Sequence, residues 1–139
     1  MSYTVRQQDG ILWIEFRGTF KNHDLWRGGD EVDRIERAAA VVPHRIADLR
    51  PVERVEIDFN GIFTLVQMRR RLGFKNSFKS AIIATDVVHF GFARMFQTLN
   101  DHPQICIAIF GDEQSARSWI AIPDHRPPEQ EWNPSPIEG

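Results

Sequence analysis

Apolar and polar residues alternate from Tyr3 to Gln7, break at Asp9-Gly10, and give way to Ile11, Leu12, Trp13, Ile14 and Phe16. Two such runs around an Asp-Gly pair predict a β-hairpin, because that dipeptide accepts the positive φ angles of a tight two-residue turn. Gly18 ends the second strand in this reading. From Asn22 to Ala40 the period lengthens. Leu25, Gly28 or Gly29, Val32, Ile35 and Ala39 recur at helical spacing, and Asp30, Asp33, Arg34 and Arg37 fall on an opposite, solvated face. A helical glycine costs about 1 kcal/mol relative to alanine, so this pair predicts a close approach of the helix to a sheet.

The same pattern continues. A third strand spans Arg45 to Leu49, and the alternating stretch 52–57 either extends it or loops out. Asp58 or Asn60 caps a second helix that turns Ile62, Leu65, Val66 and Leu72 inward and stops at Gly73, with Phe74 just beyond. A fourth strand covers Ser80 to Ala84, and a third helix runs from Val87 to Leu99 after the Thr85-Asp86 cap. A fifth strand, Ile105 to Phe110, leads to a last helix capped by Asp112, with Ala116, Trp119 and Ile120 inward. The later strands are short continuous apolar runs between helices, which is how strands buried on both faces read. The predicted class is α/β: a mostly parallel five-stranded sheet with an N-terminal β-hairpin edge and four helices.

From Pro123 the pattern fades. Five of the eight prolines fall in the last 17 residues, with four acids against Arg126 and with Trp132 as the only aromatic residue. The reading is one domain over 1–122 and a flexible proline-rich tail over 123–139. The whole chain of 139 residues carries a net charge of −2, so no global field favours nucleic acid, and no nucleic-acid partner is expected. The start is not a signal peptide and no stretch is long enough to span a membrane, so cytoplasmic is the expectation. The single Cys106, inside an apolar run, reads as a buried inert thiol.

Catalytic motifs are absent from the sequence: no glycine-rich phosphate loop, no dinucleotide fingerprint, no nucleophile elbow. His23, His44, His89, His102 and His125 are dispersed, so neither a metal nor another cofactor is expected. Asp58, Asp86 and His89 would share a cleft, but their spacing specifies no reaction. His89 reads as a surface histidine or a ligand contact. One basic stretch stands out. Arg69, Arg70, Arg71, Lys75 and Lys79 interleave with Phe74 and Phe78, and no acid occurs between Phe59 and Thr85. Such a run is either an anion or membrane contact or the solvated C-terminal end of a helix, where cations offset the helix dipole. Three consecutive arginines fan over about 200° of a helix, so they cannot all face one ligand.

The segment Ile57-Asp58-Phe59-Asn60-Gly61-Ile62, after Asp48-Leu49, resembles the loop of STAS domains, whose anti-sigma-factor antagonists carry I-D-S-S-G-L there with the first serine as phosphorylation switch. Phe90 to Phe96, and Phe110-Gly111-Asp112-Glu113 through Ile120, are similar to the SpoIIAA-like branch of that superfamily. The resemblance covers roughly residues 3 to 122. It implies a non-enzymatic regulator or ligand-binding module, with no cofactor. Phe59 stands at the phosphoacceptor and has no hydroxyl, so the serine switch is lost here. What remains is a helix mouth, Asp58 to Gly61 with Thr85, Asp86 and His89 alongside, for a protein partner or a small ligand such as a nucleotide or lipid. The alternative is a membrane-associated carrier of lipid or another hydrophobic ligand, with Phe74, Phe78, Phe90 and Phe92 as an apolar patch ringed by the basic stretch. A homodimer through the hairpin edge is a further expectation.

Overall fold

The structure is a computed structural model that describes residues 2–70 and 73–134. Its elements are β1 (Tyr3–Gln8), β2 (Ile11–Phe16), β3 (Gly18–Lys21), α1 (Asn22–Ala38), β4 (His44–Asp48), β5 (Val52–Glu56), α2 (Phe59–Arg70), β6 (Phe78–Ile83), α3 (Val87–Leu99), β7 (Ile105–Phe110) and α4 (Glu113–Ala121). The main sheet has the order β1-β2-β4-β6-β7, with β1 antiparallel at one edge and the other neighbours parallel. Asp9 and Gly10 take φ of 56° and 74°, the turn the Asp-Gly pair predicts.

Alternation within the strands divides the core in two. Leu12, Ile14, Phe16 and Ile82 face α1, α2 and α3, whereas Trp13, Ile46, Ala81, Ile83 and Phe110 face α4. All six residues of β6 are buried, because helices cover both faces. The paired glycines of α1 answer to different neighbours. A Cβ on Gly28 would come within 2.8 Å of Ile14 in the sheet, and one on Gly29 within 2.7 Å of Leu65 in α2.

The structure departs from the sequence reading at three places. Gly18 does not end the β-structure; its φ of 65° turns the chain out of the main sheet and into β3. The stretch 52–57 neither extends β4 nor loops out. It supplies β5, which pairs in parallel with β3 as a separate two-stranded sheet. The tail folds back in its described part. Trp132 N–H donates to Ile109 O at 3.0 Å, and Glu131 accepts from Ile109 N–H at 2.8 Å, so the tail covers the outer edge of β7. Cys106 is half-buried, and burial raises its thiol pKa, away from the reactive thiolate.

His44 couples the sheet to pH. Its Nδ1 accepts the Lys79 backbone N–H at 2.9 Å, which requires an unprotonated nitrogen. Burial, then the nearby Lys79 and His125, lower its pKa below the ordinary value. The unfolded chain therefore binds more protons than the native one between the lowered value and about 6.5. Stability gained above that window is lost as pH falls through it. The urea midpoint should drop between about pH 7 and pH 5, and His44→Asn, which keeps an acceptor oxygen, should flatten the drop.

Candidate functional site

The parallel strands β4 and β6 end on one side of the molecule, and β5 carries the chain on to α2 while β6 leads to α3. At the first of these helix mouths Asp58 precedes α2 and caps it: its Oδ1 accepts the Gly61 N–H at 2.8 Å. Asn22, at the start of α1, donates from Nδ2 to the same Asp58 oxygen at 3.2 Å and accepts the Asp58 N–H on Oδ1 at 3.3 Å. One turn later Trp26 Nε1–H donates to Gly61 O at 2.9 Å. Gly61 is the hinge of this clamp, since a Cβ there would lie 2.0 Å from Asn22 Oδ1. The anion site that the motif suggests is thus occupied from within, because the chain's own carboxylate takes the N–H at this mouth.

Phe59 is 52% exposed and stacks on Phe63, one turn along, with ring centroids 5.5 Å apart. Asn60 and Thr85 are exposed as well. The neighbouring helix α3 opens with Val87 and Val88, which are 70% and 59% exposed. Asp86 caps α3 by accepting the His89 N–H at 2.8 Å. His89 itself is buried, not a surface residue. Its Nε2–H donates to Val52 O at 2.9 Å, which places a proton on Nε2 and ties α3 to β5. Asp58, Asp86 and His89 are therefore committed to caps and a backbone carbonyl. Among the described residues no group of three or more His, Cys, Asp or Glu could hold a metal ion.

Of the basic stretch, Lys75 is exposed and Arg69 and Lys79 are buried. Arg69 is buried and pairs with Asp33 at 2.9 Å and Glu36 at 3.1 Å on α1, so Asp33 also leaves the solvated face assigned to it. Lys79 is buried on the α4 side of β6, where its Nζ donates to Trp119 O and Ile122 O at 2.7 Å and closes the end of α4. Lys75 Nζ donates to Ala39 O at 2.6 Å beyond the end of α1. Arg71, Leu72 and the Arg70 side chain lie outside the described residues. The apolar patch drawn from Phe74, Phe78, Phe90 and Phe92 also dissolves. Phe78 is fully buried, Phe74 packs edge-on against it at 5.1 Å, and Phe90 and Phe92 are half-buried against the core.

Arg69 belongs to a buried cluster beneath α1. Glu36 accepts from Arg45 at 3.2 Å on one oxygen and from Arg69 on the other, and Arg45 Nε–H donates to Ser80 Oγ at 3.1 Å. Burial pulls the Arg45 guanidinium down to about 10, with Glu36 opposing, so it stays charged at neutral pH. Arg45, Arg69 and Ser80 line one end of a cavity of about 50 Å³ that is otherwise walled by apolar side chains, Leu25, Val32, Leu65, Phe92 and Phe96 among them.

A solved structure has the same architecture: an uncharacterised protein of the DUF3478 family from Shewanella loihica PV-4, described as having a SpoIIAA-like fold, aligns with a TM-score of 0.56 at 11% identity, over 85% of this chain and 91% of its own. The chain has a SpoIIAA-like fold. The STAS-type architecture inferred from Asp58-Phe59-Asn60-Gly61 and the helix order thus holds at the level of fold. No family model matches the chain, and no curated protein matches it. Among the described residues of this SpoIIAA-like domain, no helix is long and apolar enough to cross a membrane.

Asn22, Trp26 and Val52 complete the helix mouth and escape the sequence reading. Asn22 and Trp26 lie four residues apart, hence on one helix face, and that spacing was the available signal. The carbonyl of Val52 leaves none, since a backbone acceptor is invisible in sequence.

Proposed function

We propose that this SpoIIAA-like domain is a non-enzymatic binding module whose partner is a protein that docks on the face made by Phe59 and Phe63 of α2 and Val87 and Val88 of α3. The observation that carries this reading is the exposed, stacked Phe59–Phe63 pair at the helix mouth. Exposed aromatic pairs on a rigid element supply contact area at low entropic cost, which makes them frequent anchors of interfaces. The segments that lead into α2 and α3 carry the exposed acids Glu53, Glu56, Asp58 and Asp86, with Arg54 already paired to Glu56 at 3.2 Å. The complementary partner surface is apolar with a basic rim. A nucleotide fits poorly there, because Asp58 fills the position a phosphate would take.

A second reading, a carrier of lipid or another hydrophobic ligand, rests on the apolar cavity under α1, α2 and α3. At about 50 Å³ it holds a few atoms, so an acyl chain enters only if the helices separate. One experiment separates the two. Partner capture from the source lysate is compared for the wild type and Phe59→Asp/Phe63→Asp, with thermal melting in the presence and absence of fatty acids. The double variant should lose the partner by more than about 30-fold in affinity while its stability shifts by about 0.5 kcal/mol per exposed site. Equal retention by both proteins sinks the docking face. A fatty-acid rise in melting temperature that survives the double substitution moves the function to the cavity.

A further inference from the structure

The main sheet ends in two edges, and the chain treats them differently. On β7 the outward backbone groups are taken: Gln97 Nε2–H donates to Ile107 O at 2.8 Å, and the tail bonds both backbone groups of Ile109 through Trp132 and Glu131. On β1 they are not. Arg17 N–H donates to Ser2 O at 2.8 Å, and this bond sets the phase of the β1–β2 ladder. In an antiparallel pair every second residue bonds its neighbour, so Ser2, Thr4, Arg6 and Gln8 turn their backbone groups to β2. Tyr3, Val5 and Gln7 turn theirs away from the sheet, and among the described residues neither a strand nor a side chain bonds them.

The usual protections are missing from this edge. Natural sheets blunt an exposed edge with proline, a bulge, a charge or a cover. β1 has no proline and pairs with β2 in an unbroken register. Its one charge, Arg6, leans back over the sheet: the guanidinium lies 4.9 Å from the centre of the Trp13 ring, and Nε–H donates to Gln8 Oε1 at 3.1 Å. An open row of donors and acceptors is a template for another strand.

The edge is complementary to its own two-fold copy. Antiparallel pairing about Val5 sets Val5 against Val5 and Tyr3 against Gln7, so every outward residue of β1 enters a bonded pair. Arg6 then faces Thr4, and no charge meets its like. Glu15 lies one strand further in on that face, as the register partner of Thr4. Two strand spacings of about 4.8 Å separate it from the incoming Arg6, a gap the two side chains span together. Arg17 holds only Oε2 of Glu15, which leaves Oε1 for that arginine. Other registers do worse. One about Thr4 leaves Gln7 without a partner in β1, and one about Arg6 leaves out Tyr3 and sets arginine against arginine. We propose that the β1 edges of two copies of this chain pair across a two-fold axis at Val5 and join their sheets into one. The proposal does not rest on the docking face of α2 and α3.

The full-length protein should sediment as a dimer that dissociates on dilution. Amide hydrogen exchange reads the edge directly. The Val5 and Gln7 amides should be protected in concentrated protein and exchange fast in dilute protein, whereas those of Thr4 and Arg6, bonded to β2, should stay protected in both. Gln7→Pro removes an outward N–H from an exposed residue. It should weaken the dimer about tenfold or more and leave the melting temperature of dilute protein little changed. Thr4→Arg, which meets Arg6 across the axis, should weaken the dimer about threefold or more, and less so as salt rises. It keeps the test decisive should the proline variant fold poorly. Phe59→Asp/Phe63→Asp should leave the dimer intact. The proposal is overturned if concentrated protein stays monomeric or if Val5 and Gln7 exchange alike at both concentrations. It is also overturned if the dimer survives Gln7→Pro and Thr4→Arg but is lost in Phe59→Asp/Phe63→Asp, which would put self-association on the docking face.

Discussion

Glu36→Ala should cost about 3–5 kcal/mol of unfolding free energy, the range for breaking a buried ion pair from one side. Glu36 has no exposed side-chain surface and, among the described residues, is the carboxylate that pairs with both Arg45 and Arg69. Its removal leaves Arg45 charged and buried between the Ser80 hydroxyl and the Phe78 ring, and leaves Arg69 paired with Asp33. Total stabilities of domains this size run about 5–15 kcal/mol, so the variant should lie near the edge of folding at 37 °C. Glu36→Gln keeps one acceptor and should cost less. The compensated variant Glu36→Leu/Arg45→Met/Arg69→Met should recover most of the loss, because apolar groups of similar volume replace an ion cluster with little net change. Urea unfolding with a fixed slope reads all three. A loss under about 1 kcal/mol for Glu36→Ala would mean that water reaches the cluster and that these charges are not desolvated.

The cluster also shows what the sequence could and could not convey. The hairpin, the parallel strands and the four helices were legible, because period and turn chemistry are local properties. Asp9-Gly10 and the apolar runs at 80–84 and 105–110 carry them outright. Partners across the fold were not legible. Arg69 reads as one of three consecutive arginines, and only the packing of α1 on α2 shows that it turns inward to Asp33 and Glu36 while charges usually point to water. Lys79 likewise reads as part of a basic stretch, yet the strand alternation that puts Ala81 and Ile83 under α4 puts Lys79 there too. At the site, a cap at Asp58 or Asn60 was legible and the structure takes Asp58, but the exposure of Phe59 was not, because a phenylalanine at a helix start suits core and interface equally. Trp132 reads as a stray tail residue until Gly111 is seen beneath it. The strand β3 escaped for a simpler reason: four residues, Gly18 to Lys21, are too few to show a period.

That short strand carries the other large effect. Phe20 is fully buried, stacks on Phe16 at 4.2 Å and meets the edge of Phe92 at 5.1 Å. Phe20→Ala should cost about 3–5 kcal/mol, the sum of lost transfer energy and the cavity left between β3, the sheet and α3. Phe20→Leu fills most of that space and should cost less than half as much. The consequence is not confined to stability. β3 ends at Lys21 and hands the chain to Asn22, while its partner β5 ends at Glu56 and hands it to Asp58. The pair therefore sets the distance over which Asn22 and Asp58 bond, and His89 is tied to the same β5 through Val52. In Phe20→Ala the amides of β5 and of the first turn of α2 should exchange with solvent faster relative to those of β6, beyond what global destabilisation gives. If protection falls evenly across the chain instead, β3 and β5 unfold with the main sheet as one unit and the helix mouth has no separate mobility. If the loss is under about 1 kcal/mol, the two-stranded sheet is a satellite, and the clamp of Asn22, Trp26 and Gly61 holds the mouth without it.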